Sequence, residues 1–152
     1  MSKKNQIDEL QYFIKNSFFL DLEPQKALQM AKRLKKFKNN IKCDLPKVRI
    51  RMLSNFNLEL IIDSLFFCFY QRGIFADITY SDFGTMFTEL LDPKSQTYIL
   101  KPDIIFIWPT YRDIQEYNTS VDKEVCFWKK LWNLSKNKKI EIVQCLFDKP
   151  PF

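Results

Sequence analysis

The feature that most constrains the fold is the run Ile104-Ile105-Phe106-Ile107-Trp108, an unbroken apolar stretch between Asp103 and Pro109. A run this short and continuous suits an interior strand of a parallel sheet, covered on both faces. Similar signals surround it. Val48, Ile50, Met52 and Leu53 mark a strand before it, and Ile74, Ala76, Ile78 and Tyr80 alternate with more polar neighbours to mark another over 75–80. Ile140 to Leu146 marks a fourth. Between the first two strands, Leu58, Ile61, Ile62, Leu65 and Phe69 recur at helical spacing over 57–71, and Gly73 follows at the expected C-terminal stop. The segments 82–91 and 95–100, either side of Pro93, read as irregular or helical connections. Thr119 or Ser120 caps a further helix that opens with Asp122 and Glu124, and its spacing predicts burial of Val121, Val125, Trp128 and Trp132. Alternation of strand and helix implies right-handed crossovers and a mainly parallel sheet with helices on both sides, the three-layer α/β/α class.

The N-terminal third differs. Residues 7–20 read as a helix with Leu10, Phe13, Ile14 and Phe18 on one side. Asp21 offers a cap and Pro24 suits the first turn of a second helix reaching about Lys38, with Ala27, Leu28, Ala31 and Leu34 as its buried stripe. Residues 1–45 are therefore expected to form an N-terminal helical extension, and 46–152 the α/β domain. Lys149-Pro150-Pro151-Phe152 falls just past a strand, an awkward place to end a doubly wound sheet, which predicts further sequence downstream.

Composition narrows the chemistry. At 46% hydrophobic and 16% aromatic residues the chain suits a packed globule. With only 2 glycines it has no Gly-rich phosphate loop, and with no histidine it has neither Ser-His-Asp nor Cys-His catalysis nor a His-ligated metal. Cys43, Cys68, Cys126 and Cys145 lie far apart without a C-x-x-C pair, a pattern of small buried hydrophobes in a reducing compartment rather than of a zinc site. The strongest apolar segment, Leu60 to Tyr70, is too short to span a bilayer and contains Asp63. No signal-peptide pattern opens the chain, so a cytoplasmic location is expected.

The net charge of +6 is concentrated early: residues 1–51 hold 13 Lys/Arg against 5 Asp/Glu, and residues 52–152 hold 11 against 13. Lys32, Arg33, Lys35 and Lys36 form a basic helix face that suits either an acidic partner or plain solvation. Nucleic acid is disfavoured, because no aromatic residues interleave with the basic ones to stack on bases.

In open parallel sheets the functional crevice lies beyond the carboxyl ends of the strands. Three segments converge there and supply the candidate residues: Ser54, Asn55 and Asn57 after the first strand, Asp82 and Gly84 after the second, Thr110, Arg112 and Asp113 after the third. A helix N-terminus and Arg112 could together hold a phosphate or carboxylate. Ser54 or Asn57 suits a helix cap equally well, Gly84 a turn, and Arg112 with Asp113 a solvent-facing pair. Ser54 has no histidine to activate it as a nucleophile.

Taken together, Val48-Arg49-Ile50-Arg51-Met52-Leu53-Ser54-Asn55-Phe56-Asn57, Arg72-Gly73-Ile74, Tyr80-Ser81-Asp82-Phe83-Gly84, Glu89-Leu90-Leu91-Asp92-Pro93-Lys94-Ser95 with Tyr98, Lys101-Pro102-Asp103, Arg112-Asp113 and Val143-Gln144-Cys145-Leu146-Phe147-Asp148 resemble FkbH-like proteins in order across about residues 47–150. The resemblance implies an N-terminal domain of SGNH-hydrolase or flavodoxin-like fold, followed by a phosphatase-like domain of the haloacid dehalogenase superfamily. It also implies a part in polyketide-type biosynthesis, where a glyceryl unit is loaded onto an acyl carrier protein. That resemblance places the catalytic aspartates in a D-x-D-x-T motif of the second domain, and the motif does not occur in these residues. Where an SGNH hydrolase has G-D-S, this chain has Ser54-Asn55-Phe56, with Phe56 at the nucleophile position. The expectation is a non-catalytic accessory domain with no cofactor of its own, Mg being needed only in a downstream phosphatase-like domain. Its partners would be that domain or an acyl carrier protein. The alternatives are an SGNH-like esterase and a nucleic-acid-binding module using the basic helix.

Overall fold

The computed structural model describes residues 23–37, 45–114 and 120–146, with isolated positions between 5 and 16. The fold class is α/β: a four-stranded parallel sheet in the order β2-β1-β3-β4, flanked by helices, in keeping with the three-layer class. The elements are α1 (Pro24–Phe37), β1 (Lys47–Ser54), α2 (Glu59–Gln71), β2 (Phe75–Tyr80), α3 (Met86–Leu91), α4 (Gln96–Ile99), β3 (Ile104–Trp108), a 3-10 turn (Tyr111–Asp113), α5 (Val121–Lys136) and β4 (Glu141–Gln144). They divide into two compact units. One gathers the chain up to Lys47 with Glu59–Asp77, the other Val48–Leu58 with everything from Ile78 onward. Of the helix expected over 7–20, the described positions Asp8, Glu9, Tyr12, Ile14 and Asn16 are helical and Ile14 is buried; its other positions, and the linker at 39–44, lie outside the described residues.

In the first unit α1 packs on α2. Ala27, Ala31 and Leu34 fall at helical spacing and are buried, whereas Leu28 is half-buried. Lys35 Nζ reaches Asp63 Oδ1 of α2 at 2.8 Å. Phe67 is fully buried, and Phe66 meets Phe75 edge-on with centroids 5.6 Å apart. The end of α2 explains Gly73. Ile74 N donates to the Phe69 carbonyl and Gly73 N to the Tyr70 carbonyl, both at 3.0 Å. This is a Schellman cap, which places Gly73 at φ +74°.

In the second unit β3 lies between β1 and β4, the interior position its apolar run predicts. Its register pairs Ile50 with Ile104 and Ser54 with Trp108 on one side, and Phe106 with Val143 on the other. The core on its helix-covered face comprises Leu53, Ile105, Ile107, Met86, Leu90, Tyr98, Trp128, Leu131 and Ile140. The segments around Pro93 resolve into the short helices α3 and α4. They are tied together by Tyr98, whose hydroxyl donates to the Leu90 carbonyl at 2.8 Å.

The face of α5 differs from the sequence expectation. Ser120 caps it, its Oγ accepting from Asp122 N at 3.2 Å. Of the four residues expected inside, only Trp128 is buried, at 3% exposure; Val121, Val125 and Trp132 are 80%, 42% and 37% exposed. The buried stripe is Trp128, Leu131 and Ser135. Leu131 fills the core, and Ser135 Oγ lies 3.3 Å from the Tyr98 hydroxyl, so a small polar residue sits inside where a hydrogen-bond partner already exists. That interior demand rotates the helix away from its more apolar face.

β1 carries a charged residue into this unit's interior. Arg51 is 6% exposed. Its Nη2 donates to both Glu89 carboxylate oxygens at 2.6 and 2.7 Å, and its Nε to Thr97 Oγ1 at 3.4 Å. Nη1 donates to the Tyr80 carbonyl, so one guanidinium ties β1 to the end of β2, to α3 and to α4. The fork geometry of arginine makes this possible.

Candidate functional site

Four of the eight crevice residues meet at the carboxyl ends of β1 and β3. Asn55 Nδ2 donates to Asp113 Oδ1 at 2.5 Å. Asp113 Oδ2 accepts from Thr110 N at 2.6 Å and from Thr110 Oγ1 at 3.0 Å. Thr110 and Asp113 thus form a capping box around the 3-10 turn, the T-x-x-D spacing that the sequence displays. Asp113 is 3% exposed and accepts from uncharged donors in these contacts.

Ser54 lies beside them, 1% exposed. Its Oγ donates to the Phe56 carbonyl at 2.7 Å and accepts from Phe56 N at 3.3 Å, closing a local turn. Ser81, which sequence reasoning left out of the candidate set, faces it from the end of β2. Ser54 N donates to Ser81 Oγ at 3.4 Å, a long contact. Phe56 stands edge-on to Trp108 with centroids 5.4 Å apart and walls this corner. Ser54 therefore spends its hydroxyl within its own loop.

The remaining candidates take other positions. Asn57 is exposed. The Asp82 carbonyl accepts from Thr85 N at 3.2 Å and Thr85 Oγ1 at 2.8 Å, which makes 82–85 the turn into α3. Gly84 sits in it at φ +75° with open space where a Cβ would stand. Arg112 is exposed; its Nε donates to the Tyr111 hydroxyl at 3.0 Å and its guanidinium lies 5.5 Å from that ring's centre. On α1, Lys32, Arg33, Lys35 and Lys36 are all exposed, but Lys35 is engaged with Asp63.

A second feature was not legible as a site. The exposed side of α5 and the end of β4 enclose a groove of about 320 Å³, lined by Glu124, Val125, Trp128, Trp132, Gln144, Cys145 and Leu146. Both indoles are satisfied from its rim, Trp128 Nε1 by Glu124 Oε1 and Trp132 Nε1 by Gln144 Oε1, each at 2.7 Å. Burial pushes the Cys145 thiol pKa up. Among the described residues no group of three or more His, Cys, Asp or Glu is placed to hold a metal ion. No described helix is long and apolar enough to cross a membrane.

These features define an α/β protein with a polar cluster at its strand ends. No family model and no curated protein matches the chain. One solved structure does: the N-terminal part of the protein BF1531 from Bacteroides fragilis, described as containing a phosphatase domain and complexed with Mg. The TM-score is 0.63 at 16% identity, over 80% of this chain and 34% of that one. The likeness is one of fold, and the chain spans about a third of that neighbour's length.

Proposed function

We propose that this chain is a non-catalytic accessory and docking domain of FkbH-like type, with an SGNH-like fold. In this reading it acts in the cytoplasm, where a glyceryl unit is loaded onto an acyl carrier protein. The observation that carries the non-catalytic reading is the closed hydrogen bonding of Ser54, whose hydroxyl is buried and turned onto the Phe56 carbonyl. A serine nucleophile needs an adjacent base to take its proton, and these 152 residues contain no histidine. Docking is assigned to the exposed Lys32, Arg33 and Lys36 of α1, which would meet an acidic carrier surface. Phosphatase chemistry, with its Mg, would belong to a domain outside these residues.

The test is a titration of the chain with an acyl carrier protein, followed by NMR at low and high salt. Saturable binding is expected, weakened about tenfold or more when Lys32, Arg33 and Lys36 are changed to Glu, and weakened by salt. Binding that ignores those reversals removes α1 from the docking surface. Ester hydrolysis that disappears in Ser54→Ala would replace the accessory reading with an SGNH-like esterase.

A further inference from the structure

The chain enters β3 and β4 through two left-handed turns, and each is made by a lysine. Lys101 follows α4 at φ +47° and Lys139 follows α5 at φ +59°. The turn after α5 carries the bonds of a Schellman cap: Ile140 N donates to the Ser135 carbonyl at 3.3 Å and Lys139 N to the Lys136 carbonyl at 2.9 Å. The same motif after α2 places Gly73 at the equivalent position, where the absence of a Cβ removes the strain. A basic residue in the last turn suits the helix dipole, which accounts for Lys136; it does not account for a side chain at a position that fits glycine. The two turns are neighbours. β3 and β4 start side by side, with Ile104 opposite Glu141, and Lys138 Nζ lies 4.9 Å from the centre of the Tyr98 ring on α4. Lys101, Lys136, Lys138 and Lys139 are all exposed, and none forms an ion pair among the described residues. Of the two carboxylates in these turns, Asp103 is taken by Arg49 at 2.8 Å, and Glu141 is exposed beside the four lysines. Next to Lys101, Ile99 and Leu100 are 59% and 42% exposed.

We infer that this end of the second unit is a peripheral docking surface for an anionic lipid bilayer, with the four lysines over the headgroups and Ile99 and Leu100 entering the interfacial layer. Basic side chains beside exposed aliphatic ones suit such a surface, through charge attraction and apolar burial together. The choice of lysine favours lipid over protein. A fixed carboxylate on a protein partner is met best by the planar fork of arginine, and protein interfaces are enriched in arginine and depleted in lysine. Lysine is a point charge on a flexible stem, suited to headgroups that move laterally. Tyr98, the aromatic ring of these turns, is buried, so stacking on a nucleic-acid base is closed to it. The inference does not rest on carrier docking through α1.

The experiment is sedimentation of the whole chain with vesicles of phosphatidylcholine mixed with phosphatidylglycerol, against vesicles of phosphatidylcholine alone. Binding is expected to the mixed vesicles, weakened by salt, and not to the neutral ones. Lys101→Gly with Lys139→Gly should weaken it roughly 25-fold, about fivefold for each lysine, while the urea midpoint stays level or rises. Loss of binding with a gain of stability is an outcome that a purely structural role for these lysines would not produce. Ile99→Ser with Leu100→Ser should weaken binding and leave its salt dependence intact. Each measurement is repeated in a chain whose Lys32, Arg33 and Lys36 are changed to Gln, so that α1 does not supply the attraction. Three results overturn the inference. They are no binding to the mixed vesicles in that chain, binding unchanged in the double glycine variant, or binding to soluble polyglutamate as tight as to the mixed vesicles, which would assign the surface to an acidic protein instead. Carrier binding is read by a separate titration, and its failure leaves these outcomes as they stand.

Discussion

Removing the Glu89 carboxylate should destabilise the second unit more than its exposed surroundings suggest. The side chains of Arg51 and Glu89 are 7% and 14% exposed, and the carboxylate takes both of its arginine bonds from a single Nη2. Glu89→Ala leaves the guanidinium in the interior with the Tyr80 carbonyl and Thr97 Oγ1, both uncharged, and leaves Thr97 without the carboxylate that accepts its hydroxyl. Stranding a buried charge in this way costs about 3–5 kcal/mol. For a chain of this size that corresponds to a fall in Tm of roughly 6–20 °C. Replacing the pair together, as Arg51→Met with Glu89→Leu, removes the stranded charge and should cost far less than the sum of the single changes. Urea unfolding followed by circular dichroism gives the three free energies and hence the coupling. Single substitutions that cost under about 1 kcal/mol, or a double variant that equals their sum, would refute the view that the pair acts as one buried unit.

Three further outcomes follow from particular residues. Gly73→Ala should cost roughly 1 kcal/mol through its positive φ alone, since the nearest atom to an added Cβ is 4.0 Å away; Lys139→Gly, at φ +59° in the matching cap of α5, should raise stability slightly, and urea midpoints check both. On α5, Leu131→Ala should cost about 2–5 kcal/mol while Val125→Lys stays within about 0.5, a contrast that reverses if the helix buries its valine face. Asp103 is held below the usual carboxylate range by hydrogen bonds from Arg49, so its contribution is present above the unfolded pKa and fades as pH falls through the lower folded value; Asp103→Asn should flatten that acid-side slope of stability against pH.

The strand pattern was readable because each strand is a local run: β2 and β3 begin and end where the alternation and the apolar stretch place them. So was the stop at Gly73, where the glycine stands where a helix must turn left-handed. Periodicity failed on α5 because hydrophobicity and burial part company there. Val125 and Trp132 are more apolar than Ser135, yet Ser135 goes inside to meet Tyr98. The pairing of Arg51 with Glu89 across 38 residues had no local signature, since neither residue looks interior by its neighbours. At the strand ends the sequence places Asn55, Thr110 and Asp113 in one region and the structure joins them by hydrogen bonds, but the direction of the Asn55 amide is set by its donation to Asp113, and spacing does not encode it.

The chain has 3 tryptophans, and all of them, Trp108, Trp128 and Trp132, belong to the second unit. One is half-buried, one is buried and one is exposed at the groove, its indole N–H held by Gln144. Tryptophan emission, excited at the red edge where the Tyr70 of α2 does not absorb, is therefore an optical signal from one unit only, while ellipticity averages over the helices of both. Superposed melting curves by the two methods would mean that the units unfold as one cooperative body. Curves that separate would make the emission a direct readout of the sheet and its strand-end cluster alone.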